Sequence, residues 1–226
     1  LLFGQGVIIS KAEKELREFV DKTGIPAAWT LLGLSALPTD HRLNVGMLGM
    51  HGNYGPNIKT NEADLIIAVG MRFDDRVTSK VASYARDAKI IHLEIDPAEI
   101  NKIIKVDVAI LGDAKKSLKM LTGNVRQNSH DAWLREFRDA DRVEFDKVIE
   151  KDLCPVKPGL TMGEAVRMVS ERTSNDAILV TDVGQQQMIA ARYFKFKHSR
   201  SFVTSGGLGT MGYGLPASVG AQLAAP

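Results

Sequence analysis

Short apolar runs alternate along this chain with stretches in which apolar positions recur every three or four residues. Leu1-Leu2-Phe3 leads into Gly4-Gln5-Gly6 like a strand entered at its middle, and Val7-Ile8-Ile9 either closes that strand or starts a helix. Ser10-Lys11-Ala12-Glu13 has the form of a capping box, in which the serine and glutamate side chains each satisfy a free backbone N–H. Ala12, Leu16, Phe19 and Val20 then follow at helical spacing, until Gly24 and Pro26 stop the helix. Ala27 to Leu31 reads as the next strand. A helical turn ends over Asn61 to Asp64, and Leu65-Ile66-Ile67-Ala68-Val69 is apolar throughout. Lys89 to Ile95 and Val108 to Leu111 predict two more strands, and Ala114 to Leu121 a helix. Strands apolar on both faces and separated by helices indicate a parallel sheet covered on both sides, an α/β, Rossmann-like arrangement.

The pattern changes after Gly123. One long charged helix is predicted from about Asp131 to Lys151, with Trp133, Phe137, Val143 and Val148 scattered on it. Cys154 to Gly159, with two prolines, breaks it. Thr161-Met162-Gly163-Glu164 is a second capping box, opening a helix to about Thr173. Ala177 to Thr181 is a new strand that ends at Asp182-Val183-Gly184, and Leu215 to Pro226 is a helix-like apolar run. The expected organisation is a first domain over residues 1–124, a linker with the charged helix over 125–159, and the start of a second α/β domain over 160–226.

Composition narrows the function. Lys and Arg number 29 against 27 Asp and Glu, and no dense basic run exists, so neither nucleic acid nor a membrane surface has electrostatic support as a partner. The single cysteine, Cys154, allows no disulfide within the chain and no thiolate zinc site, and a reducing, cytoplasmic setting is expected. No apolar run reaches the ~18–20 residues of a membrane helix, and no signal peptide is visible. Both apolar ends read as cuts inside a longer protein.

Four stretches carry candidate chemistry. Gly4-Gln5-Gly6 after a strand lets backbone approach a phosphate, although the third glycine of the dinucleotide fingerprint is absent; an ordinary tight turn is the alternative. Met47-Leu48-Gly49-Met50-His51-Gly52 is either a glycine-rich loop with a core methionine or part of a ligand site. Gly70-Met71-Arg72-Phe73-Asp74-Asp75-Arg76 follows a buried strand directly. It sets two arginines where an anion could be clamped, or forms local ion pairs in solvent. In His92-Leu93-Glu94-Ile95-Asp96, and again at Asp113, an acid ends a strand and could accept from a ribose or ribityl hydroxyl or cap the next helix. The densest signal is Ser205 to Ala217, with five glycines in the nine positions Gly206 to Gly214. It lies between the strand-like Phe202-Val203-Thr204 and an apolar helix, with Met211 and Leu215 expected inside. Such density costs backbone entropy and suits a chain that hugs a ligand.

Taken in order, these stretches, together with Thr30-Leu31-x-Gly33 and Val183-Gly184-Gln185-x-Gln187-Met188, resemble the acetohydroxyacid synthase (acetolactate synthase) large subunit family over nearly the whole chain. The resemblance implies thiamine-diphosphate-dependent joining of the two-carbon unit of pyruvate to a second 2-keto acid, pyruvate or 2-ketobutyrate, in branched-chain amino-acid synthesis. It implies a structural FAD lined by Gly4, Gln5, Gly6, Thr30, Leu31, Leu48, Gly49, Met50, His51, Gly70, Met71, Arg72, Phe73, Asp74, Glu94, Ile95, Asp113 and Ala114. Gly206 and Gly207 would approach its isoalloxazine end. Gln185, Gln186, Gly209, Thr210 and Met211 would contact thiamine diphosphate, with Met211 as the prop under the bent coenzyme. Arg76 would grip the second keto acid's carboxylate, with Met50 in the acceptor pocket.

The chain departs from the family pattern at Gln186, Ile189 and Thr210, where His, Trp and Ala are usual. The Mg²⁺ ligands and the glutamate that activates the coenzyme belong to parts of the family not contained in this sequence. The fragment alone is therefore expected to be inactive and to bind thiamine diphosphate poorly. The full protein is expected to be a dimer or tetramer with a small regulatory subunit. Other readings are a related thiamine enzyme, such as glyoxylate carboligase or oxalyl-CoA decarboxylase, and a non-catalytic flavin-nucleotide-binding module.

Overall fold

The computed structural model describes residues 1–156 and 158–226; Lys157, within the predicted linker, lies outside the described residues. The first unit contains β1 (Leu2–Phe3), α1 (Gln5–Ile9), α2 (Glu13–Thr23), β2 (Ala27–Trp29), β3 (Asn44–Met47), α3 (Tyr54–Glu62), β4 (Leu65–Val69), α4 (Asp75–Thr78), β5 (Lys89–Glu94), β6 (Val108–Leu111) and α5 (Ala114–Asn124). Its six strands are all parallel, in the order β3-β2-β1-β4-β5-β6. The strand order therefore reverses between β1 and β4, where Leu2 pairs with Ala28 on one side and Ala68 on the other. Buried strand residues such as Phe3, Ala28, Ile66, Val69 and Leu93 form the core with Leu16, Phe19 and Val20 of α2. The apolar stripe predicted for α2 is thus the face that packs.

The predicted capping box at Ser10 does not form. Val7 to Ile9 are helical, and the Ser10 hydroxyl donates back to the carbonyls of Gly6 and Val7 at 2.7 and 3.2 Å, so Ser10 closes α1. Lys11 then turns with φ of 55°, and the N-cap of α2 is Ala12, without a side-chain cap. β3 is an element beyond those predicted. Gly46 near its centre breaks the apolar run that would have marked a strand.

The charged helix is α6 (Asp131–Glu144). It passes through a π-helical turn (Phe145–Ile149) into α7 (Glu150–Leu153). Leu134, Phe137 and Ala140 of α6 are buried, and α6 packs against α3, so it belongs to the body of the fold. The second unit contains α8 (Met162–Arg172), β7 (Leu179–Thr181), α9 (Gln185–Tyr193), β8 (Phe202–Thr204) and α10 (Gly214–Ala224). Thr161 caps α8 as predicted, its hydroxyl accepting from the Glu164 N–H. β7 and β8 pair in parallel. Phe194 and Phe196, just after α9, join the core of the first unit. Phe196 also exchanges hydrogen bonds with Thr39, through Thr39 N to Phe196 O at 3.0 Å and Phe196 N to Thr39 Oγ1 at 3.0 Å.

Candidate functional site

In a parallel sheet every strand delivers its carboxyl end to the same rim, and a crevice opens where the strand order reverses. Here that rim carries Gly4-Gln5-Gly6 after β1, Thr30 and Leu31 after β2, Leu48 to His51 after β3, and Gly70 to Asp74 after β4. Ile95 follows β5, with Glu94 as its last residue, and Asp113 and Ala114 follow β6. The fold thus brings all the predicted residues of the first unit to one edge. At the reversal the two central loops touch: Gly4 N donates to Val69 O at 3.0 Å and Gly6 N to Gly70 O at 2.9 Å. A Cβ on Gly4 or Gly6 would stand 2.6 Å from backbone atoms of Gly70. Absence of side chains is required here by loop-to-loop packing, whatever lies above it.

The Arg72 to Arg76 stretch forms local ion pairs at the protein surface. Arg72 reaches Asp74 Oδ2 and Arg76 reaches Asp75 Oδ2, each at 3.3 Å, and both guanidinium groups are more than half exposed. The second Asp74 oxygen, Oδ1, is shielded from solvent and has no hydrogen-bond partner. Met50 and Arg76 are neighbours, since Met50 N donates to Arg76 O at 2.7 Å. Behind the loop, the fully buried His92 holds Met71 O at 2.8 Å from Nε2, while its Nδ1 has no partner. Met71 O is an acceptor, so His92 Nε2 is the donor in that contact. The Phe73 ring stands edge-on to His92 at 5.1 Å and to Tyr84 at 6.2 Å, and burial pushes the Tyr84 hydroxyl pKa up. Glu94 turns one oxygen onto the N–H groups of Ile95 and Asp96, at 2.8 and 3.2 Å. Asp113 caps α5 through Lys116 N at 3.1 Å, so capping is one of its roles.

The second unit presents its glycine-rich loop beside β7. Asp182, the residue after β7, fastens it: Oδ1 accepts from Val183 N at 2.7 Å and Gly212 N at 3.0 Å, and Oδ2 accepts from Gly214 N at 3.2 Å. These N–H groups, Val183 first, hold the Asp182 carboxyl below its ordinary value. Gln187 is buried and donates to Thr204 Oγ1 at 2.6 Å, and Thr181 reaches the same hydroxyl at 2.8 Å, tying α9, β7 and β8 together. Gln185 and Gln186 are exposed at the start of α9. Met211 and Leu215 were expected inside, but they are 83% and 76% exposed. The loop is held through Asp182 and Gly206, and no element among the described residues covers those two apolar side chains. Gly206 does meet the first unit, since a Cβ there would lie 2.9 Å from Leu32 Cδ2 and 3.1 Å from Leu31 Cδ2.

A buried polar chain connects the two units. Asn53 Oδ1 accepts from Met47 N at 3.0 Å, and Asn53 Nδ2 donates to Glu144 Oε2 at 3.2 Å. The other Glu144 oxygen pairs with Arg192, whose Nη1 reaches Gly52 O at 3.5 Å. Glu144 is 5% exposed. Sequence reasoning missed this group, because Glu144 and Arg192 are 48 positions apart and only the tertiary fold pairs them. It also missed Asp182 as a site residue, although an acid between a strand end and a glycine was a readable signal.

The rim and the loop fit different groups. At the rim the exposed Arg72, paired with Asp74 at 3.3 Å, offers a guanidinium that suits an anionic group. Gly209 and Gly212 have φ of 67° and 83°, and a Cβ on either would meet nothing within 4 Å, which leaves the loop backbone open to a ligand. Among the described residues no group of three His, Cys, Asp or Glu side chains is placed to hold a metal ion. No helix among them is long and apolar enough to cross a membrane.

Comparison with known proteins matches the two ends of the chain to two different domain families. Residues 1–121 match the family "Thiamine pyrophosphate enzyme, central domain", and residues 182–226 match "Thiamine pyrophosphate enzyme, C-terminal TPP binding domain". The chain is 43% identical over 229 residues to the acetolactate synthase large subunit of Lactococcus lactis, a match covering 100% of this chain and 39% of that protein. It is 42% identical over 231 residues to the probable acetolactate synthase large subunit of Methanocaldococcus jannaschii, with the same coverage. It is 42% identical over 226 residues to acetolactate synthase isozyme 2 large subunit of Escherichia coli K12, covering 100% of this chain and 40% of that protein. The chain spans about two fifths of the length of the curated relatives it matches. With a central-domain match over more than half its residues and a partial C-terminal match beyond it, this chain belongs to the thiamine pyrophosphate enzymes, as a homologue of acetolactate synthase large subunits.

Proposed function

We propose that the chain is the flavin-binding middle domain and the opening of the thiamine-diphosphate domain of an acetolactate synthase large subunit. The carrying observation is identity near 40% to such subunits along its entire length, continuous through both family matches. In this reading residues 1–124 are the flavin domain, 125–159 connect the domains while α6 packs on α3 of the first, and 160–226 are the start of the thiamine domain.

FAD would lie along the carboxyl rim, where Gly4 to Gly6 and Gly70 form the floor at the strand-order reversal and Arg72 and Asp74 offer charge to its polar groups. It acts as a structural group. Gly206 and Gly207 close on its ring end, an assignment supported by the approach of Gly206 to Leu31 and Leu32. Thiamine diphosphate, when bound, supplies the carbanion chemistry of keto-acid decarboxylation and carboligation. Gln185, Gln186, Gly209, Thr210 and Met211 would hold it, Met211 beneath its bend, and Asp182 sets the height of that loop through Gly212 and Gly214. Arg76 would grip the carboxylate of the second keto acid and Met50 would line the acceptor pocket. Their backbone hydrogen bond keeps the two together. The Mg²⁺ ligands lie outside these residues. The words "large subunit" in the relatives' names support a small regulatory subunit as partner.

The full-length protein, supplied with pyruvate, thiamine diphosphate, Mg²⁺ and FAD, is expected to form 2-acetolactate, while the isolated 226-residue chain is expected to form none. Carboligation of glyoxylate or decarboxylation of oxalyl-CoA in place of pyruvate turnover would move the protein to a different branch of the family. Turnover by the isolated chain would overturn the assignment of essential groups to other segments.

A further inference from the structure

His92 is the one buried histidine among the described residues. It interrupts β5, where its neighbours Ile90, Ile91 and Leu93 are apolar. A polar ring shut away from water costs free energy unless its polar atoms are paired. One of them is not, since Nδ1 has no partner. The other, Nε2, donates to Met71 O at 2.8 Å, while Glu94 Oε2 stands off at 3.9 Å, beyond hydrogen-bond reach. The single bond to Met71 is therefore what a histidine brings to this position and an isoleucine would not.

That bond falls where the rim has least support. β4 ends at Val69, and the last bond across to β5 runs from Gly70 N to Leu93 O at 2.8 Å. Gly70 then turns with φ of 53°. From Met71 to Phe73 the backbone makes one hydrogen bond among the described residues, the one from His92. The side chains on either side of Arg72 are buried, Met71 at 3% and Phe73 at 5% exposure, and the Phe73 ring stands edge-on to His92. The Arg72 side chain between them is more than half exposed. His92 thus grips this stretch twice, through a carbonyl and through a ring, and both grips keep Met71 and Phe73 in and Arg72 out.

We propose that His92 is a positioning residue: by holding the Met71 carbonyl it keeps the Met71–Phe73 stretch in place, with Arg72 presented at the rim, before any ligand arrives. The inference rests on the reading of this rim as a flavin site. His92 touches no ligand and acts through Arg72 and its neighbours. A segment ordered in advance spares binding the cost of ordering it. Without the bond, three residues that have no other backbone tie must be ordered by the flavin, which then binds more weakly.

The full-length protein, stripped of flavin, tests this with two measurements. FAD is titrated back and followed by its fluorescence, and trypsin is applied to the flavin-free protein to compare cleavage after Arg72 with cleavage after Arg142, which lies in α6. His92→Leu, which keeps an apolar volume and removes the donor, should bind FAD about tenfold more weakly, the loss of one hydrogen bond. It should also be cut faster after Arg72, with no change after Arg142. His92→Gln, whose amide N–H takes the place of the Nε2–H, should restore both. A histidine that served stability alone would raise both cleavages together and leave the FAD affinity of the folded protein unchanged. That result, unchanged cleavage after Arg72, or a failure of His92→Gln to restore what His92→Leu loses would overturn the proposal. If the unsubstituted protein itself takes up no FAD, the flavin reading falls and the role of His92 with it, whatever trypsin shows. If His92→Leu does not fold, His92→Asn, whose amide ends short of Met71 O, decides.

Discussion

At the rim of the six-stranded sheet, a Cβ on Gly4, Gly6 or Gly70 would come within 2.7 Å of backbone in a neighbouring loop, whereas one on Gly209 or Gly212 of the Ser205–Gly214 loop would meet nothing within 4 Å. Both regions are glycine-rich, and in sequence both suggest a backbone that hugs a ligand. At the rim the missing side chains let two crossing loops close on each other at the strand-order reversal. In the second unit they keep a turn open, held from below by a single aspartate. Glycine density thus marks close approach, but what is approached depends on the fold: protein in one region, open space in the other. The rim is part of the core's construction, while the loop has shape without cover.

The sharpest way to break this comparison is to add one methyl group in each region. Gly70 has φ of 53° and its Cβ would stand 2.7 Å from Gly6 Cα. Gly70→Ala combines left-handed backbone strain with overpacking against backbone that cannot yield, and is expected to cost more than about 3 kcal/mol in urea unfolding. Gly209→Ala, at φ of 67° in open space, should cost about 1 kcal/mol, confined to the loop. Equal losses at the two positions would erase the distinction.

The Glu144–Arg192 pair sharpens it from another side, because it fastens the second unit to the rim loop through Asn53 and Gly52. Glu144→Gln leaves the mostly buried Arg192 guanidinium without its counter-charge and is expected to cost about 2–3 kcal/mol. Arg192→Met alone should also destabilise, but the double variant should recover part of the loss, since neither charge is then stranded. Losses that simply add would show that the pair does not couple the units.

Much of this fold was legible because its strands are continuous apolar runs. Leu65 to Val69 and Lys89 to Glu94 could hardly be anything else, and α2 declared its buried face through Leu16, Phe19 and Val20. β3 was hidden by Gly46. The Ser10 capping box failed because the signal is local, and a preceding short helix claimed the serine first. Motif order placed the rim residues, since every one of them follows or ends a strand. Distance in sequence hid the rest: Glu144 on α6 and Arg192 on α9 meet only in the folded chain. The exposure of Met211 and Leu215 was unreadable for the opposite reason, because an apolar residue does not state which surface will cover it.

The smallest expected effect lies in the acid limb of the loop's order. Hydrogen bonds from Val183, Gly214 and Gly212 hold the Asp182 carboxyl below its ordinary value of 3.8. The unfolded chain therefore binds a proton at Asp182 more readily than the folded one, and stability rises with pH across the interval between the two pKa values. The clamp is fully present at neutral pH, begins to weaken near the unfolded value, and is lost as pH falls through the depressed folded value. Amide-exchange protection factors at Gly212 and Gly214 should accordingly stay level from pH 7 to about 5 and collapse in stronger acid, well below pH ~4. The rim amides of Gly4 and Gly6 donate to backbone carbonyls and have no such titrating partner, so their protection should follow global unfolding alone. Asp182→Asn keeps an acceptor for two of the three N–H groups but presents an amide N–H₂ to the third, so its protection should be lower at neutral pH and flat toward acid. Unchanged protection at Gly212 and Gly214 in that variant would mean that the loop is ordered by something other than the aspartate beneath it, and the contrast with the self-packed rim would lose its physical cause.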